Sequence, residues 1–325
     1  MFYKSLLLLI LILTFSIFFT ILASSKTEVP EKDTYSGLET SYIVKPGDCL
    51  WKISKRFGIS IEELTTINNI ANPSIIYPGQ VLVFSKNGET GSKNFEPGII
   101  LTFDDHSIDN WYSARDLFKK YHAKVTFFVD HFDKLDANSI SKLKDLKQDG
   151  HEIGCHGFRH LNAVQYIAKH SVEEYIQKEI NPAIKNMKDK GFEPTSFAYP
   201  YGARSETLDS VLLEYFDVIR GTAYVNKDQN IKSLNKVYLD NKNESIVYAV
   251  SIDNITGKEV TTILDGLKRA KKNSEIILFY AHDISIDAHE AYNTDFDTLE
   301  AVLSYAFNHG LRFYTCSEVN GSSLR

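Results

Sequence analysis

Four short clusters in the chain combine residue types that can carry hydrolytic chemistry. The first is the carboxylate pair Asp104 and Asp105, which closes the apolar run GIILTF at 98–103. Taken alone, an acidic pair at such a place is an ordinary helix cap or solvated turn. The second is His156 and His160, which follow the run HEIGC at 151–155. Imidazoles at i and i+4 share one face of a helical turn, and two nitrogens on one face can reach one metal ion. Taken alone, they read as two surface histidines. Joined to an aspartate from another strand end, they form a two-histidine, one-carboxylate set that holds a divalent ion and leaves positions open for water and substrate. The third and fourth clusters, FAYPYG at 197–202 and LFYAH at 278–282, each close a strand and place Tyr201 and His282 at strand ends.

Clusters so far apart in sequence converge only if the strands that carry them end on one side of the fold. From residue 95 onward apolar runs alternate with amphipathic stretches, the pattern of an α/β domain with parallel strands. Strands are expected in GIILTF, AKVTFFV, HEIGC, PTSFAY, DVIRG, SIVYAV, EIILFY and LRFYTC, and helices at 110–121, 171–191, 205–216 and 261–272, among others. Seven or eight strands in residues 97–325 suit a barrel-like (β/α) arrangement, with the chemistry at the strands' C-terminal ends.

The N-terminal part divides differently. Residues 1–25 contain a charge-free apolar stretch of 18 residues, 6–23, between the length of a cleavable signal and that of a membrane span. They read as a signal peptide or an N-terminal membrane anchor, the anchor being slightly favoured. Residues 26–40 are a polar tether and residues 87–96 a Gly, Ser and Asn-containing linker. Between them, residues 41–86 spell strand, helix, helix, strand. Two Pro-Gly turns bracket the helical pair, and Ser60 with Glu63 makes a capping box for the second helix. Cys49, Cys155 and Cys316 are odd in number and lack ligand spacing, so they are expected as small buried hydrophobes rather than disulfides or metal ligands.

The module at 41–86 resembles the LysM family through PGDCLWKI, the junction FGISIEEL and the closing YPGQVLV, with Cys49 where such sequences usually carry Thr or Ser. The resemblance implies a βααβ fold that binds GlcNAc-containing chains such as peptidoglycan or chitin. A module that keeps the fold and serves only as a spacer is the alternative. Residues 97 to about 318 resemble the polysaccharide deacetylase (NodB-homology) family, most specifically through TFDD and HGFRH. That resemblance implies a divalent ion, zinc before cobalt or another ion, held by Asp105, His156 and His160. It implies Asp104 as general base, the Tyr201 N–H as oxyanion donor and His282 as general acid. Three positions depart from the family pattern. His106 stands where Gly is usual, and an outward-pointing ring is its ordinary reading. Ala198 replaces an Arg that orients the base, a role open to Arg220. The carboxylate partner of the acid histidine has no clear match, Asp253 being a weak candidate.

The formal net charge of −6 provides no clustered cation for phosphate, so nucleic acid is not an expected partner. A glycan is, with the membrane as a second partner if the N-terminal segment stays uncleaved. The expected function is removal of N-acetyl groups from peptidoglycan at the cell surface. Alternatives are deacetylation of chitooligosaccharide or exopolysaccharide, O-acetyl esterase activity, and a non-enzymatic wall-binding protein. Intact Asp104, Asp105, His156, His160 and His282 speak against the last of these.

Overall fold

The computed structural model describes residues 41–68, 70, 72–84, 96–224, 229–240, 244–285 and 292–320. The expected signal or anchor at 1–25, the tether at 26–40 and nearly all of the linker at 87–96 lie outside these residues. Among the described residues, no helix is long and apolar enough to cross a membrane.

The small module has the βααβ layout: β1 (Ser41–Ile43), helices Leu50–Phe57 and Ile61–Ile67, and β2 (Val81–Val83), which pairs with β1. Local chemistry sets its boundaries. Gly58 ends the first helix in the left-handed region at φ 64°, and Ser60 Oγ accepts the Glu63 N–H at 3.1 Å to start the second. The Asn68 side chain then ties the second helix to β2, donating to Val83 O at 2.8 Å and accepting from Val83 N at 2.7 Å. Leu50, Ile53, Leu64 and Leu82 are buried and give the module its core. Cys49 corrects its expectation: it is exposed, at the N-cap of the first helix, whereas Cys155 and Cys316 are buried as expected.

The larger domain is a parallel barrel. Its closed ring runs β3 (Gly98–Asp105), β4 (Thr126–Val129), β5 (Glu152–Cys155), β6 (Ser196–Ala198), β7 (Val218–Thr222), β9 (Ile246–Ser251) and β10 (Ile276–Ala281), and β10 pairs back with β3. All eight expected strands form, the eighth being β13 (Arg312–Tyr314), which lies outside the ring. It pairs with residues 98–100 of β3, while β4 pairs with residues 102–105. One edge of β3 thus serves two strands, which distorts the barrel. The short β8 (Tyr238–Leu239), absent from the expected set, adds antiparallel to β10.

The period-two alternation of strands sorts the two sides of the wall. On β3, Ile99, Leu101 and Phe103 join the large cluster beneath the helices, and Ile100 joins the barrel's interior cluster. The same parity carries Asp104 inward at the top of β3. It also turns inward His156 after β5, Arg220 on β7, and Tyr280 and His282 at the end of β10. Every strand of the ring runs in one direction, so these side chains meet at one rim.

The stretch 171–191 is helical from Val172 to Asp189 as expected, with a π-helical turn at Ile176–Ile180. One expectation about local structure is corrected. His156 and His160 do not share a helical turn; they stand on an irregular loop with φ 91° at Gly157 and 57° at His160. Spacing alone suggested a helix, but the loop must instead reverse direction at the barrel rim.

Candidate active site and metal centre

A cavity of about 520 Å³ opens at that rim, lined by Asp104, Asp105, His156, His160, Tyr201 and His282. All are residues singled out from the sequence. Arg220 lies beneath them, fully buried.

Adjacent residues on a strand point to opposite faces, so Asp104 and Asp105 should not share a cavity. Asp105 does so because its φ of 79° breaks the alternation at the strand's last residue. Its Oδ1 faces His156 Nε2 at 3.5 Å and His160 Nε2 at 3.2 Å. One ligand atom from each of the three residues lies within 4.8 Å of the others. His156 Nδ1 is 2.8 Å from the Ala198 carbonyl, and that acceptor fixes the proton on Nδ1 and leaves Nε2 bare toward Asp105. Asp105 Oδ1 is buried with no hydrogen-bond partner among the described residues. An oriented imidazole, a second histidine and a buried carboxylate oxygen are donors of the kind that could hold a divalent metal ion. Burial pushes the Asp105 carboxyl up, but the two imidazoles outweigh burial and hold it well below the usual carboxylate range.

The loop that carries the two histidines is held by a residue the sequence did not reveal. Glu179, in the π-helical turn, is buried and accepts the N–H of Arg159 and of Leu161, each at 2.9 Å, on either side of His160. Gly157 lies against the same carboxylate, where an added Cβ would collide with Glu179 Oε1. Replacing Glu179 would leave two part-buried backbone donors unpaired beside His160.

The other functional pairs are also buried. Arg220 Nη2 bonds Asp104 Oδ2, and its guanidinium lies 5.4 Å from the Phe128 ring centroid and 5.1 Å from that of Tyr280. Asp104 Oδ1 has no partner among the described residues and borders the cavity. Ala198, which stands where an arginine was expected, pairs in register with Arg220 on the neighbouring strand. Asp253, a weak candidate by sequence, holds His282 twice, through Nδ1 at 2.7 Å and through the backbone N–H at 3.1 Å. Burial lowers the His282 pKa, yet Asp253, followed by Asp104 and Asp105, outweighs it and pushes the group up to about 9. Tyr201 sits in the turn Pro200–Gly202 with φ 60°, where the first N–H groups have no partner within the helix. Tyr201, Tyr224 and Tyr292 expose their rings along the cavity. His106 does not line it; the ring is half-exposed and bonds Asp130.

A parallel (β/α) barrel that gathers an aspartate pair and three histidines at its C-terminal rim has an architecture that could serve hydrolysis there. Residues 92–215 match the polysaccharide deacetylase family and residues 42–85 match the LysM domain. The chain thus joins a LysM domain to the distorted barrel of a polysaccharide deacetylase, a hydrolase domain of the NodB-homology type. Among curated proteins, it is 38% identical over 64 residues to N-acetylmuramoyl-L-alanine amidase sle1 of Staphylococcus aureus, a match covering 20% of this chain and 19% of that one. The chain therefore spans about a fifth of the length of these relatives. Similar solved structures include the Xyl-CE4 domain of a multidomain xylanase from the hindgut metagenome of Trinervitermes trinervoides, with TM-score 0.47 and 19% identity over 70% of this chain and 92% of that one. Peptidoglycan deacetylase PdaC from Bacillus subtilis aligns with TM-score 0.46 and 19% identity, over the same shares.

Proposed function

We propose that the chain is an extracytoplasmic, metal-dependent deacetylase that hydrolyses N-acetyl groups of a GlcNAc-containing cell-wall glycan, peptidoglycan first. The observation that carries this reading is the cavity itself: Asp105 Oδ1 facing two imidazole nitrogens, beside an aspartate held by arginine and a histidine held by aspartate. The exposed rings of Tyr201, Tyr224 and Tyr292 suit a sugar, whose apolar face lies against aromatic surface. The LysM domain adds a second glycan-binding element. Residues 1–25 would export or anchor the chain, residues 26–40 would tether it, and residues 87–96 would link its two domains.

Asp105, His156 and His160 would hold the divalent ion, zinc before cobalt. Bound there, the ion supplies a Lewis acid, which polarises a carbonyl and makes water acidic enough to ionise near neutral pH. Asp104 takes the proton of the attacking water, and Arg220 keeps its carboxylate aimed. As the acetyl carbonyl carbon gains its new bond to oxygen, the Tyr201 N–H donates to the oxygen that becomes negative. His282 then gives its proton to the sugar nitrogen, the C–N bond breaks, and acetate and a free amine leave. Acetate release from peptidoglycan, chitooligosaccharide and acetylated xylan tests the reading. Activity on the xylan alone would make the chain an O-acetyl esterase, and activity on none would leave a wall-binding protein.

The His282 assignment predicts a pH profile. A histidine with a raised pKa stays protonated until the pH passes that value, so an acid of pKa about 9 works up to about pH 9 and is lost above it. Of the carboxylates that raise it, Asp104 and Asp105 face the ion, whereas Asp253 does not. In Asp253→Asn the alkaline limb of kcat/KM is therefore expected to move toward lower pH. A limb that stays in place would remove His282 from the acid role.

The domain arrangement predicts a substrate-dependent effect. A glycan-binding module joined by about ten residues raises the local concentration of polymer at the cavity, and only when both sites engage one chain. Deleting residues 41–86 is expected to lower activity on insoluble wall by about tenfold or more, while kcat/KM on short soluble oligosaccharides stays nearly constant. An equal loss on both would make the module part of the catalytic fold, and no loss on either would make it a spacer.

A further inference from the structure

We propose that His106, Asp130 and His131 form a second divalent-metal site, outside the catalytic cavity and separate from Asp105, His156 and His160. One ligand atom from each of these three residues lies within 4.8 Å of the others. Asp130 directly follows β4, and its side chain is 3% exposed. Its two oxygens are taken by two histidines, Oδ1 by His106 Nδ1 at 2.6 Å and Oδ2 by His131 Nδ1 at 2.7 Å. Among the described residues no lysine or arginine forms an ion pair with this carboxylate. A carboxylate taken out of water costs several kcal/mol unless a charge compensates it. Among the described residues the side chains bonded to it are imidazoles, which are also ligands for borderline divalent ions such as zinc, cobalt, nickel or copper.

The geometry around the cluster is built rather than incidental. His131 adopts φ 43°, a conformation uncommon outside glycine, and its ring comes back onto the preceding aspartate. Asp130 N–H donates to Asp105 O at 3.2 Å, which sets the end of β4 beside the end of β3. The His106 and His131 ring centroids stand 5.6 Å apart. His106 is 56% exposed in its side chain, which gives an ion direct access from solvent. Neither His106, Asp130 nor His131 lines the catalytic cavity, so an ion held here would clamp the two strand ends together and not meet the substrate.

The test is metal stoichiometry of the full chain, stripped with chelator, dialysed against zinc or cobalt and analysed for metal after desalting. Two equivalents are expected for the wild type and one for His131→Ala. Asp130→Asn, which keeps the side chain's shape, is expected to retain one as well, and circular dichroism checks that both variants fold. His160→Ala, which removes a ligand of the catalytic set, is also expected to retain one. A wild type that saturates at one equivalent still present in His131→Ala would overturn the second site, as would two equivalents in folded His131→Ala. Two equivalents in His160→Ala would instead overturn the catalytic ligand set and leave the second site standing.

Discussion

Stripping the divalent ion with a chelator is expected to lower acetate release by about 10³-fold or more, and added zinc or cobalt to restore it. The magnitude follows from the role of a Lewis acid in hydrolysis: it contributes several kcal/mol of charge stabilisation, and about 1.4 kcal/mol is a factor of ten in rate. Among the described residues, the other cationic groups at the cavity are already engaged: Lys258, which lines it, donates to the Gln229 carbonyl at 3.4 Å. Arg220 is fixed by Asp104, and the His282 proton is committed to the leaving nitrogen. The check is acetate release measured beside elemental analysis of the same sample. Full activity in excess chelator, with no metal in the protein, would end the metal-dependent reading.

Asp104→Asn and His160→Ala are expected to fail in different ways. The first removes a proton acceptor and no ligand, so kcat should fall by about 10²- to 10⁴-fold, the range typical of a lost general base, with metal content nearly intact. The second removes an Nε2 that lies 3.2 Å from Asp105 Oδ1, and the ion should be lost with it. Asp104→Asn also leaves the buried Arg220 cation facing a neutral amide. Breaking such a pair costs about 3–5 kcal/mol of stability, so its kinetics belong well below its melting temperature. Equal loss of metal in both variants would show that the division of labour between Asp104 and Asp105 is wrong.

Much of this site was readable in the sequence because its groups belong to short local patterns at strand ends. The eight strands were readable for a related reason: strands buried on both faces are continuous apolar runs, and each was bounded by turn residues. What could not be read depends on pairing between distant segments. Arg220 could be placed opposite Ala198 only once the register of β6 and β7 was known. Asp253 reaches His282 across 29 residues and Glu179 reaches Leu161 across 18, and nothing local marks either as a partner. The histidine pair was found for the wrong physical reason. Its spacing is helical, but its backbone turns through positive φ at Gly157 and His160, a conformation imposed by the buried Glu179 carboxylate and not by the local sequence. Asp130 and His131 gave no signal at all, since an aspartate and a histidine in tandem are ordinary surface residues until β4 buries the first of them.

The pairing of β10 with β3 joins Ile276 to Gly98, 178 residues earlier in the chain. Contacts of such long range make folding slow, because most of the chain must be ordered before they can form. Asp104 and Asp105 stand at the end of one of these strands and His282 just past the end of the other. Asp104 and His282 therefore cannot face each other until the ring shuts, and a growing or partly folded chain passes through its assembly without this site. Until that moment β3 presents an unsatisfied apolar edge, the kind of edge on which strands of neighbouring molecules add. The same hydrogen bonds that bring Asp104 and His282 to one rim also cover that edge.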